Sequence, residues 1–187
     1  MVCLMALTAT MYHFQITLSD VDRAVYEALD LRVARHPSET MRYLVTRTLA
    51  YCLSYEEGIA FSKGGLSSVE EAPVSIRDAT GVLRAWIDVG SPSAERLHKA
   101  SKAADRVALF THVELPLLLR EASARAIHRI EQLEVFRVEP EFLDALDQKL
   151  DKNSKFEVVR TDGQLYVTIG AETLSGTLTQ CSLVPSA

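Results

Sequence analysis

No run in this chain is apolar for the roughly 20 residues that a bilayer-spanning helix requires, so no membrane-spanning helix is expected. The opening MVCLMALTATMYHF is apolar but lacks a basic leading segment, and it runs directly into a strand pattern. It reads as part of the folded protein rather than as a signal peptide. Initiation at Met5, with residues 1–4 as an extension, stays open. Cysteine is scarce: Cys3, Cys52 and Cys181 are far apart and form no C-x-x-C pair. A disulfide framework and a zinc ribbon are thereby excluded, and a reducing, cytoplasmic setting is expected. Cys52 falls on an apolar helical stripe and is expected in the core. The phosphate-cradling patterns G-x-x-x-x-G-K and G-x-G-x-x-G are missing, as is the G-x-S-x-G elbow of serine hydrolases. The five histidines contain no H-x-x-x-H pair, and none is assigned to a metal.

The 187 residues carry 48% hydrophobic and 24% charged side chains, which is the balance of a globular protein with a substantial core. The net charge of −5 does not favour nucleic-acid binding by the molecule as a whole. Its distribution is uneven. Between Arg84 and Arg129 there are eight Lys/Arg against five Asp/Glu, whereas Glu131 to Ala187 holds ten acids against five bases. A basic face on an acidic protein and plain solvated helix surface are both compatible with that bias.

Alternation of polar and apolar residues over TATMYHFQITLSD and VYEALDLRVAR predicts a β-hairpin. The Asp20-Val21-Asp22 turn between them is read as turn chemistry rather than a calcium loop. HPSETMRYLVTRTLAYCLSY predicts a helix starting at Pro37 and Ser38, with Glu39 in its first turn. A short strand (IAFSK), a loop (GGLSSVEEAP) and a second hairpin (VSIRDATGVLRAWIDV) follow. Ser91 and Pro92 then open a helix to about Ala104, and RVALFTH is a strand buried on both faces. Strand, helix and strand with short joins imply a parallel βαβ crossover. Helix, strand and helix over LPLLLREASARAIHRI, LEVFRV and PEFLDALDQKL precede a closing meander around Asp162-Gly163. We expect one mixed α/β domain over residues 1–187, a mixed β-sheet flanked by helices.

The stretch WIDVGSPSAERLHKA places one acid, Asp88, near the end of an apolar strand, and a lysine, Lys99, on the next helix. A buried acid is costly unless paired or liganded. Side chains alternate along the strand, so Arg84, Trp86 and Asp88 share a face, followed on that face by Gly90. The nuclease superfamily PD-(D/E)XK holds its acid and lysine at the positions of Asp88 and Gly90, within a core of helix, hairpin, helix and strand. That order resembles the one read here from His36 to His112. With glycine at 90, Lys99 is the ammonium expected to substitute. ARHPSET (Ala34 to Thr40), WIDVGSP and RLHKA, together with the strand start near MALTATMYHF, resemble the YaeQ family of bacterial proteins over nearly the whole chain.

That resemblance implies a variant of the PD-(D/E)XK nuclease fold and a site at Glu39, Asp88 and Lys99. The implied activity is Mg²⁺- or Mn²⁺-dependent hydrolysis of phosphodiester bonds. Carboxylates hold such a cation, the metal activates water and neutralises phosphate charge, and a lysine stabilises the developing charge. Family members commonly carry Pro-Asp before the hairpin, where this chain has Pro73-Val74. Asp78 is the nearest acid available to replace it, and turn chemistry is its competing explanation. The alternative is a catalytically degenerate member of the fold that contacts nucleic acid or a protein partner. Salt bridging or helix capping would then account for Asp88, and the helix dipole for Glu39.

Overall fold

The computed structural model describes residues 8–63 and 70–184. Cys3, the extension proposed for residues 1–4 and residues 64–69 of the GGLSSVEEAP loop lie outside the described residues. Two apolar-alternating runs meet first. β1 (Thr10–Asp20) and β2 (Val25–Arg35) pair antiparallel along their full length, from Thr10 with Arg35 to Asp20 with Val25. Phe14, Ile16, Leu18, Leu29, Leu31 and Val33 lie on the buried face of this ribbon. The Asp20-Val21-Asp22 turn is structural, as expected: Asp20 accepts from the Arg23 amide, and Asp22 accepts from the amides of Asp162 and Gly163 in a neighbouring turn.

α1 (Met41–Leu53) begins later than Pro37 and Ser38 suggest. His36 to Glu39 closes as a turn, with the Glu39 amide on the His36 carbonyl at 2.9 Å. Thr40 is the N-cap, its hydroxyl accepting from the Tyr43 amide at 3.1 Å. Glu39 therefore precedes the helix rather than standing in its first turn. The second hairpin forms as expected, β3 (Ile59–Phe61), β4 (Val74–Arg77) and β5 (Leu83–Val89) pairing antiparallel in succession.

α2 (Ala94–Ala103) is capped by Ser93, not Ser91. It returns the chain to β6 (Arg106–Thr111), which runs parallel to β5 and completes the expected crossover. α3 (Leu115–Ala122) is shorter than its apolar pattern suggests. The chain leaves it through turns, with Arg129 at φ 50°, and makes a single 3-10 turn at Ile130–Gln132 before β7 (Glu134–Val138). α4 (Pro140–Asp147) leads into the meander β8 (Asn153–Thr161), β9 (Gln164–Ile169) and β10 (Glu172–Cys181). α4 packs close on β10 at Gly176, where a Cβ would stand 2.5 Å from the Phe142 ring.

Among the described residues, ten strands join one mixed sheet in the order β2-β1-β8-β9-β10-β7-β6-β5-β4-β3. One hydrophobic cluster contains Phe14 and Leu31 from one end of that order, Ile87 and Phe110 from the other, and Leu44, Leu49 and Leu143 from α1 and α4. The sheet must therefore curl around those two helices. On its opposite face, Leu97 of α2 packs with Leu109, Leu118 and Val135, and Ala100 of α2 packs with Trp86 and Val107. Alternation along β5 thus sends Ile87 and Val89 toward α1 and Trp86 and Asp88 toward α2.

Candidate functional site

Asp88 is 2% exposed and accepts three hydrogen bonds. Trp86 Nε1 donates to Oδ2 at 3.0 Å, Arg96 Nε to the same oxygen at 2.6 Å, and the Val89 amide to Oδ1 at 3.2 Å. The Arg96 guanidinium also lies 5.3 Å from the centroid of the Trp86 ring and donates through Nη2 to the Glu71 carbonyl at 2.9 Å. Its place in the first turn of α2, beside the end of β5, brings it to the acid. Charge-assisted bonds of this kind are the strong ones. The ion pair to Asp88 is therefore made by Arg96 and not by Lys99.

β5 ends at Gly90 with φ of 85°, a backbone state that side-chain-bearing residues rarely adopt. The Tyr43 ring, 3.5 Å from where a Cβ would sit, leaves ordinary contact room. It is the backbone conformation, not crowding, that disfavours a lysine at position 90.

Asp88 and Arg96 lie on one wall of a cleft of about 470 Å³, which Thr40, Tyr43, Glu71, Gly90 and His112 also line. The Tyr43 phenol is pushed up to about 12 by burial and by the nearby Asp88 charge, with Glu39 adding to it, so it stays a neutral donor. His112 is held below its ordinary value by burial and by Arg42, which keeps it neutral at pH 7. Asp88 and Glu71 are the two carboxylates on this cleft. No sequence signal singles out Glu71, Tyr43 or His112. Glu71 sits in a loop that carries no periodic signal, and the other two are spread along the chain.

The other expected site residues stand elsewhere. Glu39 is 2% exposed, with Arg47 Nη2 straddling its carboxylate at 3.0 Å from Oε1 and 3.3 Å from Oε2. Only the second contact has hydrogen-bond geometry, and Oε1 is left without a donor. The His36 amide donates to Oε2 at 3.0 Å. Burial raises the Glu39 carboxyl above its ordinary value, against the pull of Arg47.

Asp78 is folded into its own turn. Its Oδ1 accepts from the Thr80 amide at 2.9 Å, the Thr80 hydroxyl at 2.6 Å and the Val82 amide at 3.0 Å. Arg84 Nε reaches Oδ2 at 2.8 Å. The Thr80 hydroxyl, with Arg84 and the two amides, brings this carboxyl down to about 2. Arg84 and Asp88 are four residues apart on β5, roughly 13 Å at strand rise, so Asp78 and Asp88 occupy opposite ends of the hairpin.

Val74 pairs with Ile87 and is fully buried on the α1 side. That residue therefore points to the face opposite Asp88. Lys99 pairs with Glu70 and lines a separate, open groove of about 520 Å³ with His98, Lys102 and Arg125. The four sequence-expected residues are thus not brought together. Among the described residues, no three His, Cys, Asp or Glu side chains gather as a set able to hold a metal ion.

The family described as YaeQ protein matches residues 5–178. The chain belongs to the YaeQ family. It is 28% identical over 177 residues to the uncharacterized protein YaeQ of Escherichia coli (strain K12), covering 94% of this chain and 97% of that one. The crystal structure of YaeQ from Pseudomonas syringae superposes with a TM-score of 0.84 at 29% identity, covering 93% of this chain and 96% of that one. YaeQ from Xanthomonas axonopodis pv. citri gives a TM-score of 0.85 at 27% identity over 94% and 99% of the two chains. The YaeQ architecture seen in those crystals is the fold of this chain. Among the described residues, no helix is long and apolar enough to cross a membrane.

Proposed function

We propose that this YaeQ chain is a variant of the PD-(D/E)XK fold that binds the phosphodiester backbone of nucleic acid without cleaving it. The order α1, β4-β5 hairpin, α2 and β6, with β6 parallel to β5, supports the fold assignment. The observation that carries the binding reading is the Arg96 guanidinium on Asp88. The acid that would serve a metal is neutralised by Arg96, which shares Oδ2 with Trp86, while the Val89 amide donates to Oδ1. As arranged, the cleft does not fit a divalent cation, which prefers unpaired carboxylate oxygens. Glu39, Asp78 and Lys99 stand outside it.

Three and six residues beyond Arg96 on α2 come Lys99 and Lys102, a basic row beside the groove that Arg125 also lines. A backbone laid along α2 would meet these charges in turn and release counterions as it bound.

Fluorescence anisotropy with labelled single-stranded DNA, duplex DNA and RNA at two salt concentrations tests the proposal. Binding that weakens with salt, and weakens further in Lys99→Ala/Lys102→Ala, is the expected result. Absence of binding to all three overturns it. Mg²⁺- or Mn²⁺-dependent cleavage that disappears in Asp88→Asn would instead establish the metal-dependent nuclease reading. Glu71, the other carboxylate on the cleft, would then be the second ligand.

A further inference from the structure

The two edges of the sheet are built differently. β3 ends it with three residues, whereas β2 ends it with eleven and contains no proline, glycine or lysine. Its register with β1 runs without a bulge. Long, regular edges are templates for another strand; β2 is interrupted by neither proline nor a bulge, but it carries Glu27, Asp30, Arg32 and Arg35, so a strand that pairs with it must bring complementary charges.

The direction of its free backbone groups follows from β1. The His13 amide bonds the Lys152 carbonyl at 2.7 Å, and the Val21 amide bonds the Arg160 carbonyl at 2.9 Å. Odd-numbered residues of β1 therefore turn their amides toward β8, and even-numbered ones bond to β2. Through the β1–β2 register, the residues of β2 that face outward are Tyr26, Ala28, Asp30, Arg32 and Ala34. The Ala34 carbonyl fits this parity. It points off the edge and is taken by Arg47 at 2.6 Å, so this carbonyl already has a donor, whereas the Ala34 amide and the backbone groups from Tyr26 to Arg32 face outward.

We infer that this edge pairs antiparallel with the β2 edge of a second copy, about a two-fold axis at Leu31. The charge pattern selects both the partner and the register. With the axis at Leu31, Asp30 faces Arg32 of the second copy and Arg32 faces its Asp30, while Ala28 faces Ala34. On the other face Glu27 stands opposite Arg35, and Leu29 opposite Val33. Axes at Asp30 or Arg32 would set like charges against each other. Axes at Leu29 or Val33 would set Glu27 or Arg35 against Leu31.

Only the Leu31 axis places every charge opposite its complement, and in a two-fold pair each complement occurs twice. Asp30 is exposed, touching His13 at 2.7 Å, and Arg32 has no ion-pair partner among the described residues. The Asp30 and Arg32 backbones exchange both ladder bonds with their opposites, and the Ala34 amide meets the Ala28 carbonyl of the second copy. The pairing extends one sheet through both copies, with α1 and α4 of each on the same side.

Sedimentation velocity over a range of concentrations tests the pairing, with thermal unfolding of each variant alongside. The wild type is expected to dimerise. Asp30→Arg and Arg32→Asp, each of which opposes like charges twice, should weaken the dimer about tenfold or more. The double swap Asp30→Arg/Arg32→Asp should restore it, because it exchanges the members of each pair. A wild type that stays monomeric at the highest concentration overturns the inference. So does a dimer indifferent to the single swaps, or a folded double swap that fails to dimerise. Amide exchange on the unmodified protein gives an independent reading. The Asp30 and Arg32 amides should slow as concentration rises, and unchanged exchange in a sedimenting dimer would place its interface elsewhere.

Discussion

Two buried acid–arginine pairs flank Tyr43, and they differ in what the arginine can reach. Glu39 and Arg47 are sealed, with side chains 0% and 3% exposed. Arg47 also holds the Ala34 carbonyl, and Arg35 holds the Glu39 carbonyl, so this pair ties the end of β2 to the start of α1. Asp88 is just as buried, but the Arg96 side chain is 18% exposed and lines the cleft. A sealed pair that loses one member strands a charge in the interior. A pair whose arginine borders a cleft has solvent, or a ligand, to take the missing partner's place. One motif thus acts as a rivet in the first setting, while in the second its arginine remains accessible from the cleft.

The largest effect should come from breaking the sealed pair. Arg47→Met leaves Glu39 buried without its counter-charge and should lower stability by about 3–5 kcal/mol, read by urea unfolding. A loss below about 1 kcal/mol would mean that Glu39 had found another partner. Breaking the cleft pair should be milder. Arg96→Met leaves Asp88 with the Trp86 and Val89 donors and access to water, for a loss of about 1–3 kcal/mol. A loss as large as that of Arg47→Met would erase the distinction between the two pairs.

Acid titration sharpens the contrast with Asp78, the third acid expected at the site. Glu39 has its folded carboxyl raised by burial. The folded state therefore binds this proton more readily than the unfolded chain. The stability it contributes is full below the ordinary glutamate range and is lost as pH rises through the raised value. Asp78, brought down to about 2 mainly by the Thr80 hydroxyl, has the opposite sign. Its contribution is present above the ordinary aspartate range and is lost as pH falls toward 2. Unfolding curves from pH 2 to 7 should therefore lose their most acidic limb in Asp78→Asn and their upper slope in Glu39→Gln. Identical profiles for the two variants would refute the assignment.

The smallest effect belongs to Lys99. Its pair with Glu70 is solvent-exposed, and Lys99→Ala should change stability by no more than about 0.5 kcal/mol. In the same variant, salt-dependent binding of nucleic acid should weaken by a few-fold, read by fluorescence anisotropy. Unchanged binding would remove Lys99 from the proposed interface.

Most of the fold was legible in the sequence because its signals are local. Period-two alternation marks the β1–β2 ribbon, the Asp78 turn marks the β4–β5 hairpin, and the short joins around α2 fix β5 and β6 as parallel neighbours. Helix starts were misplaced where two polar residues compete. Ser38 and Ser91 look like caps, but Thr40 and Ser93 stand at the distance from which a hydroxyl reaches the first free amides. Asp88 was found as a buried acid at a strand end, since alternation and the surrounding apolar residues expose the anomaly. Its partner was not. Arg96 and Lys99 lie three residues apart on one helix, and only the angle at which α2 crosses β5 decides which of them reaches the acid.

By itself, then, the sequence determined the elements, their order, the parallel crossover, the family and the position of one buried carboxylate. Each of these depends on neighbours within a few residues, or on motifs that survive as short words. The tertiary structure alone decided that Asp78 and Asp88 lie at opposite ends of a hairpin and that Glu39 is spent on Arg47. It alone brought Glu71, Tyr43 and His112 to one cleft and left β2 at an open edge. Those outcomes depend on strand register, on sheet curl and on the crossing of helices, which sum contributions from the whole chain and leave no mark in any one stretch of it.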